Sequence, residues 1–373
     1  MAPYALSAIL LVVSTAYVSA QDIATFPATP LASLHFPSPS EVPYQVDPGN
    51  LARGNQYGYN LCNSTTEGQT SRCQTSWVNA LNDFCLWGPP EPNSVIGDSE
   101  GEAVAWCTSK GHGTRLMPAG TLKGAQLLKT PDYIMITGLV DQTLIDIQAD
   151  DYGGEYDPHG QDLRGNPIGG LMYSTGFDGN VQQVLEWTNF MGGSQFCIKV
   201  CRQDGPNAAR LCEHKLDRIG CAYNAPTKYT VGAGYAPGEF EVCESDSMLA
   251  PGLYVENGVT LTYTQPPESL GEITKLPYEP SIPPSSKCAT TASAALFADL
   301  PAPSAITTSG AATATATATG SGASTRASSA ASRSTSGSAA AASSTSQSGG
   351  AASLGMSVVA GAVGVVLSMA VWA

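Results

Sequence analysis

The chain has 373 residues and carries 31 acidic and 17 basic side chains, which gives a formal net charge of −14. The only charged residues outside residues 21–288 are Asp299, Arg326 and Arg333, so that segment holds 30 acidic and 15 basic residues. Such an acidic segment is repelled by nucleic acid and by anionic membrane surfaces, which argues against both as partners. Neutral polysaccharide and cations are compatible with this charge.

The first twenty residues, "MAPYALSAILLVVSTAYVSA", predict a signal peptide. An apolar run centred on Ala8–Val13 precedes Val18-Ser19-Ala20, the small-x-small ending that signal peptidase accepts. A transmembrane helix is the alternative, but the apolar core is short for one. We therefore expect a secreted protein whose mature chain begins near Gln21, with residues 21–45 as an extended N-terminal arm.

Helical patterns are few in residues 46–288. The stretch "SWVNALNDFCLW" places Trp77, Leu81 and Phe84 on one side of a predicted helix. A second helix is predicted from a cap at Asn207 to a stop at Gly220.

Strand patterns are more frequent than helical ones. Runs of β-branched residues over Tyr133–Val140 and Thr143–Gln148 predict a hairpin, and further strands are predicted over Val184–Phe190 and Gly238–Glu244. The clearest alternation is "FCIKVC" (196–201), which places Phe196, Ile198 and Val200 on one face and Cys197, Lys199 and Cys201 on the other. Short strands with Gly- and Pro-rich turns predict a mainly β fold, a single disulfide-rich β-sandwich or barrel-like head with few short helices. The proline-rich residues 265–284 are expected to be a second extended arm on this head.

The cysteines agree with export. An even number in a secreted chain predicts a disulfide framework of up to five bridges, whose connectivity the sequence leaves open. The spacing lacks the paired CxxC pattern of a zinc site, so no metal site is predicted from the cysteines. The ten are Cys62, Cys73, Cys85, Cys107, Cys197, Cys201, Cys212, Cys221, Cys243 and Cys288. The sequon at Asn63 predicts one N-linked glycan.

The C-terminal part of the chain has a different composition. Residues 289–350 are rich in Ser, Thr and Ala, which predicts a disordered, O-glycosylated stalk. Residues 351–373 end in eighteen residues without a charge, which predicts a GPI-attachment signal with Ser348 or Gly349 as the attachment residue. A tail anchor that stays in the chain is the alternative. The expected location is the outer face of the plasma membrane or the cell wall.

Several stretches between Val42 and Cys243 resemble a fungal secreted family known as macrofage activating glycoprotein. The stretches are "YQVDPGNLARGNQYGYNLCNSTT", "DFCLWGPPEPNS", "EAVAWCTSKGHGTRLMPAG", "TPDYIMITG", "GGEYDPHGQDLRGNPIGG" and "DRIGCAYNAP". The resemblance implies a fungal surface glycoprotein. It brings no catalytic residues and no ligand that can be carried over to positions of this sequence.

The chemical motifs give little support to an enzyme. The "GDSEG" at Gly97–Gly101 imitates a serine-protease loop, but Glu100 would oppose a developing oxyanion there. His112 lies between two glycines, as a ligand-facing or an exposed loop histidine does. Tryptophans 77, 87, 106 and 187 fit either a sugar-stacking platform or the core.

The stretch "DYGGEYDPHGQDLRGNPIGG" (151–170) concentrates the remaining candidates. Its carboxylates suit calcium as hard oxygen ligands, but their spacing does not match an EF-hand loop, so no cofactor is predicted. Carboxylates this close in sequence seldom flank one glycosidic bond, and the Gly and Pro pairs are turn formers. The candidate ligand-binding residues are His112, Asp151, Glu155, Asp157, His159, Asp162 and Arg164.

Three functions remain open at the level of sequence. We expect a GPI-anchored, non-catalytic fungal surface glycoprotein that associates with cell-wall polysaccharide. The first alternative is a glycan-active or metal-dependent extracellular enzyme centred on Asp151–Asp162. The second is a structural wall spacer or adhesin.

Overall fold

The computed structural model describes residues 27, 29–232, 237–297 and 300–303. The predicted signal peptide, residues 298, 299 and 304–350 of the predicted stalk and the predicted GPI signal lie outside the described residues. The first residues of the predicted stalk belong to the folded head, because they form the end of a strand (Ser285–Thr291) and a short helix (Ser293–Leu296), and Phe297 packs against the core. None of the helices within the described ranges is both long and apolar enough to cross a membrane.

The secondary structure is mainly β, as predicted. The strands are β1 (Thr75–Ala80), β2 (Asp83–Gly88), β3 (Val104–Cys107), β4 (Arg115–Leu116), β5 (Leu122–Lys129), β6 (Tyr133–Val140), β7 (Gly154–Tyr156), β8 (Leu171–Ser174), β9 (Gln182–Val184), β10 (Trp187–Gly192), β11 (Gln195–Cys201), β12 (Phe240–Ser245), β13 (Leu253–Glu256), β14 (Val259–Thr262) and β15 (Ser285–Thr291). The α-helices are short: α1 (Ile96–Ser99), α2 (Ala208–Leu211), α3 (Gly220–Asn224) and α4 (Ser293–Leu296). Single 3₁₀ turns occur at Leu31–Ser33, Glu100–Glu102, Gln142–Ile145, Asp217–Ile219 and Glu268–Leu270.

Two large mixed sheets form a β-sandwich. The six-stranded sheet has the order β4-β3-β2-β1-β8-β9, and the seven-stranded sheet has the order β15-β12-β5-β6-β11-β10-β7. Rings from the two sheets meet between them: Phe84 stacks on Phe196 at 6.0 Å and Trp87 stacks on Trp187 at 5.7 Å between ring centroids. The main hydrophobic core therefore lies between the sheets. The hairpin β13–β14 forms a separate two-stranded sheet.

The alternation predicted for β11 is confirmed. Phe196, Ile198 and Val200 belong to the main core, whereas Cys197 and Cys201 belong to a second core on the opposite face of the seven-stranded sheet. This second core is closed by the segment that carries α2 and α3. Both faces of the sheet are thus covered, which we describe below as its inner face and its outer face.

All ten cysteines are paired, so the predicted framework of five disulfides is confirmed. Two bridges tie β11 to the segment over the outer face of the sheet, and one joins the neighbouring strands β2 and β3. The pairs are Cys62–Cys73, Cys85–Cys107, Cys197–Cys221, Cys201–Cys212 and Cys243–Cys288.

The predicted helix over "SWVNALNDFCLW" is wrong. The stretch forms the β1–β2 hairpin, in which Val78 lies opposite Phe84. Trp77, Leu81 and Phe84 have a spacing compatible with a helix, but Val78, Phe84 and Leu86 are all needed in the core between the sheets. Tertiary burial therefore overrides the local helical period.

Two other predicted elements also differ. The predicted strand Thr143–Gln148 is a 3₁₀ turn that ends at Asp146, which has a left-handed backbone (φ 69°) and binds Arg115. The predicted helix from Asn207 to Gly220 stops after Leu211, because the Cys201–Cys212 bridge ties the chain back to β11.

One predicted strand is divided between the two sheets. Of the stretch Val184–Phe190, Val184 ends β9 in the six-stranded sheet and Trp187 begins β10 in the seven-stranded sheet. The predicted strands at Tyr133–Val140 and Gly238–Glu244 are confirmed as β6 and β12, with the latter beginning at Phe240.

Candidate functional site

His112 is held on the β1–β2 hairpin and does not join the candidates of residues 151–170. Its ring stacks on Trp77 at 4.8 Å, and its Nε2 lies 2.6 Å from Asp83 Oδ1. Burial alone would raise the pKa of Asp83, but hydrogen bonds from His112 and Asn79 lower it below its usual value. Trp77 and Asp83 therefore fix the position of the His112 ring.

Arg164 is fully buried and acts as a clamp on the N-terminal part of the head. Its Nε and Nη2 donate to the two carboxylate oxygens of Asp47 at 2.7 and 3.1 Å. Nη1 donates to the carbonyl of Gly54 at 2.9 Å, and Nη2 also donates to the carbonyl of Gly49 at 3.1 Å. A planar guanidinium suits this two-pronged contact, so the residue joins residues 47–54 to the predicted loop.

Asp162 and Asp151 also bind within the protein. Arg53 Nη1 donates to Asp162 Oδ1 at 3.0 Å, and Arg53 Nη2 donates to the carbonyl of Gly165 at 2.9 Å. Asp151 Oδ2 accepts from the backbone N–H of Ile96 at 2.9 Å. These carboxylates stabilise the turns of the segment, as the Gly and Pro pairs predict.

Glu155 and Asp157 lie beneath the segment that covers the outer face of the seven-stranded sheet. Glu155 is on β7, opposite Phe190 of β10, and Phe190 lies opposite Cys197 of β11. Glu155 and Asp157 each expose only 6% of their surface. Asp157 Oδ1 accepts from the backbone N–H groups of His159 and Gly160 at 2.7 and 2.8 Å.

Burial shifts the ionisation of this covered group. It raises the pKa of Glu155 well above its usual value, and the nearby Asp157 raises it further. The pKa of Asp157 is raised as well, chiefly by burial. Lys199 of β11 is also buried there; burial lowers its pKa to about 7, and attraction to Glu155 opposes that change. Desolvation disfavours the charged form of each residue, which explains the opposite directions for acids and base.

His159 lies at the edge of the same group. Its Nε2 is 3.1 Å from Glu186 Oε2, and its ring stacks on His214 at 3.7 Å. Burial, followed by the neighbouring His159, lowers the pKa of His214 to about 4. His159 therefore contacts the segment that covers the outer face of the sheet.

The predicted candidates thus form structural contacts rather than one open cleft. A sugar could reach Glu155 and Asp157 only if the covering segment moved. Among the described residues, the one group with three possible metal ligands is Glu241, Cys243 and Cys288, and its two cysteines are bonded to each other. The carboxylates of residues 151–162 belong to no such group in the described ranges.

An open cleft of about 490 Å³ lies elsewhere on the head. We call it the aromatic–arginine cleft, and six side chains define its chemistry: Tyr57, Arg72, Glu91, Trp106, Arg115 and Asp146. The Arg72 guanidinium lies 4.8 Å from the centre of the Tyr57 ring, and the Arg115 guanidinium lies 5.0 Å from the Trp106 ring. Each aromatic ring is therefore paired with a cation.

The sheet positions the buried wall of this cleft. Arg115 of β4 lies opposite Trp106 of β3. Its Nη1 donates to Asp146 Oδ2 at 2.8 Å, and its Nε donates to the carbonyl of Ser71 at 2.9 Å. The pKa of Asp146 is raised to about 6, chiefly by burial. The positive charge of Arg115 opposes this rise, and the negative charge of Glu91 adds to it.

The exposed wall of the cleft supplies adaptable polar groups. The Tyr57 hydroxyl lies 3.4 Å from Glu91 Oε1. Arg72 and Glu91 are exposed to solvent at the rim. Aromatic rings beside charged donors and acceptors form an arrangement that can bind the faces and hydroxyl groups of a sugar.

The sequence pointed to only part of this cleft. Trp87, Trp106 and Trp187 all belong to the main core, and of these three only Trp106 also reaches the wall of the cleft. Tyr57, Arg72, Glu91 and Asp146 carry no common motif. They come from separate loops, so only their burial and pairing in the folded chain reveal them.

These observations define the class of protein: it is a disulfide-bonded β-sandwich with one buried cluster of charged residues and an open aromatic cleft. No family model matches the chain, and no solved structure matches it. Two curated proteins of Mycosarcoma maydis do. Appressorium protein ROW1 is 48% identical over 202 residues, which are 53% of this chain and 46% of ROW1. Appressorium protein ROW2 is 42% identical over 220 residues, which are 58% of this chain and 72% of ROW2.

The chain therefore belongs to the fungal family that includes ROW1 and ROW2. The matched segment spans less than half the length of ROW1 and almost three quarters of ROW2.

Replacing Arg164 by lysine tests the clamp. Lysine keeps the charge but cannot bind both Asp47 oxygens and two carbonyls at once, so the free energy of unfolding should fall by about 3 kcal/mol. Urea unfolding of the Arg164→Lys chain measures the loss. The exposed Arg210 provides the matched control, and Arg210→Lys should change stability by less than about 0.5 kcal/mol. Equal effects for the two variants would contradict the structural role of Arg164.

Glu100 should make stability depend on pH. Burial raises its pKa from the ordinary value of 4.5 to about 7. The charge of Arg53 opposes this rise, and the charge of Asp157 adds to it. Between these pH values the folded state binds more protons than the unfolded state, so the contribution of Glu100 to the free energy of unfolding falls as the pH rises. Glu100→Gln should therefore gain stability relative to the parent chain from about pH 4.5 to about pH 7.

Chemical denaturation of both chains across this range measures the change. Glu102→Gln removes an exposed glutamate from the same 3₁₀ turn and is the matched control. If both variants changed in parallel with pH, burial of Glu100 would not be the cause.

Proposed function

We propose that the chain is a fungal surface glycoprotein, held at the cell surface by a GPI anchor, whose head binds cell-wall polysaccharide without catalysing a reaction. The observation that carries this proposal is the aromatic–arginine cleft. The cleft is open, contains two ring and guanidinium pairs, and lies on a rigid disulfide-bonded scaffold.

The chemistry of the cleft fits a neutral sugar. Tyr57 is half-buried and offers apolar ring surface against the C–H face of a pyranose, whereas Trp106 is buried and supports the wall behind it. Arg72 supplies donors, while Glu91 and Asp146 supply acceptors, so each hydroxyl of a sugar finds a partner of either kind. The opposite charges on the cleft wall favour a neutral ligand over a strongly charged one.

The placement of the carboxylates supports a binding function over hydrolysis. A glycosidase needs two carboxyl groups that flank the scissile bond, one of them free to act as acid. In the cleft Asp146 is bound by Arg115. Glu155 and Asp157 are covered, and Asp157 already accepts two backbone hydrogen bonds.

The rest of the proposal is supported by the sequence. Residues 304–350 would hold the head away from the membrane, and residues 351–373 would be exchanged for the lipid anchor. The resemblance to macrofage activating glycoproteins agrees with a secreted glycoprotein. Both relatives are named appressorium proteins. We extend to this chain an association with the appressorium.

Binding of the full secreted chain to insoluble β-glucan and chitin tests the cleft. Tyr57→Ala and Arg72→Ala should each weaken retention on the polymer that binds by on the order of tenfold, because each removes a ring surface or a donor from the wall. Sedimentation of bound protein against polymer concentration measures it.

Matched controls separate the cleft from the general surface. Tyr152 is 94% exposed and Arg210 is exposed, and neither lines the cleft. Tyr152→Ala and Arg210→Ala should bind as the parent does, and Tyr57→Phe should retain most of the binding. No retention on any wall polymer would remove the polysaccharide part of the proposal.

Treatment of intact cells with phosphatidylinositol-specific phospholipase C tests the anchor. We expect release of the head into the medium, because the lipid would be the only hold on the membrane. Immunoblotting of the medium and the cell pellet measures release. A version in which residues 351–373 are deleted should appear in the medium without treatment. Retention of the parent chain after treatment would favour a tail anchor.

A further inference from the structure

A second open cavity lies between the β13–β14 hairpin and residues 277–284. We call it the tyrosine–proline groove; its volume is about 570 Å³. Tyr254 of β13 and Tyr278 stack with centroids 4.8 Å apart and planes almost parallel at 2°. Tyr223 of α3 meets Tyr278 edge-on at 5.2 Å. The rings therefore form one fixed aromatic cluster along the groove.

Among the residues that the structure describes, the polar side chains of the groove are carboxylates and hydroxyl groups, and none is a cationic or amide donor. None of its described lining residues is Lys, Arg, His, Asn or Gln. Its two ionised side chains are the exposed carboxylates of Glu256 and Glu279, and neither forms an ion pair within the described part of the chain. Proline contributes a carbonyl but no N–H. The proline lining residues are Pro226, Pro251, Pro277, Pro280, Pro283 and Pro284.

The rim of the groove is unusually apolar for a surface. Leu249 is 53% exposed, Val255 is 58% exposed and Ile282 is 41% exposed. All three line the groove. Exposed apolar side chains gathered around one groove are typical of binding sites on protein surfaces.

From these features we propose that the tyrosine–proline groove binds a cationic amino-sugar chain, such as β-1,4-linked glucosamine. The C–H faces of the sugar rings contact the tyrosine cluster and the aliphatic rim. The ammonium groups bind the carboxylates of Glu256 and Glu279. This site is separate from the aromatic–arginine cleft, whose charges are of both signs.

A donor-rich sugar fits this groove better than a peptide does. Each residue of an extended peptide carries a carbonyl that needs a donor, and a wall of prolines offers few donors. Glucosamine reverses this balance, because its hydroxyl and ammonium groups donate to carboxylates and carbonyls. The acidic head, with 30 acidic and 15 basic residues in 21–288, also attracts a polycation over long range.

Titration of the full secreted chain with a glucosamine hexamer tests the proposal. The titration uses the Tyr57→Ala chain, in which sugar binding by the aromatic–arginine cleft is weakened. At mildly acidic pH the hexamer should bind, and the fully N-acetylated hexamer should bind at least tenfold more weakly because it lacks the ammonium groups. A lysine-containing proline-rich peptide serves as the other ligand class. Equal binding of the two sugars, or tighter binding of the peptide, would overturn the proposal.

Paired variants locate the binding. Glu256→Gln with Glu279→Gln should weaken the hexamer by on the order of tenfold, because two partly exposed ion pairs are lost. Glu268→Gln with Glu272→Gln removes the same charge from exposed positions that do not line the groove, and should have little effect. Equal losses in both double variants would mean diffuse attraction to the acidic head and would overturn a specific site.

Ring variants test the aromatic part. Tyr254→Phe should bind as the parent does, whereas Tyr254→Ala should weaken the hexamer several-fold. Thermal unfolding shows whether each variant is folded. If folded Tyr254→Ala binds as the parent does, the tyrosine cluster is not the site. Tyr57→Ala and Arg72→Ala should leave hexamer binding unchanged, so this result stands or fails independently of the cleft.

Discussion

The structure depends on covering both faces of the seven-stranded sheet. The inner face is covered by the six-stranded sheet, through ring pairs such as Phe84 on Phe196. The outer face has only short helices above it, and α2 and α3 contain four and five residues. Helices of that length are not stable alone. The bridges Cys197–Cys221 and Cys201–Cys212 hold this segment down and reduce the entropy of its unfolded state.

The covered outer face accounts for the shifted ionisation of the head. Glu155, Asp157 and Lys199 point from strands or a strand end into a region that water does not reach. The pKa values of the two acids are raised and that of the lysine is lowered, because desolvation favours the uncharged form of each group. Perturbed carboxylates of this kind are often taken as a sign of catalysis. In this head they follow from the way the sheet is closed, and the adjoining Arg164 clamp serves the same structure.

The open surfaces have a chemistry that the covered group lacks. The aromatic–arginine cleft combines rings, cations and carboxylates. The tyrosine–proline groove combines rings with carboxylates and carbonyls. In each of them the rings are held by contacts with neighbouring side chains, Tyr57 by Arg72 in the cleft and Tyr254 by Tyr278 in the groove, which lowers the entropy cost of binding. If both proposed sites bind wall polymers, the head would contact them at more than one point, and multivalency would increase its retention.

The sequence by itself determined the mainly β class, the number of disulfides and the two faces of β11, because alternation and cysteine number can be read without knowing which segments meet. It also marked residues 151–170 as a turn-rich segment. The structure alone decided which cysteines are partners. Only the tertiary structure decided that residues 76–87 form a hairpin, since the spacing of Trp77, Leu81 and Phe84 taken alone fits a helix. It alone brought Tyr57, Trp106 and Asp146 into one cleft. Those residues are far apart in sequence, and contacts between distant segments leave no local pattern from which they can be read.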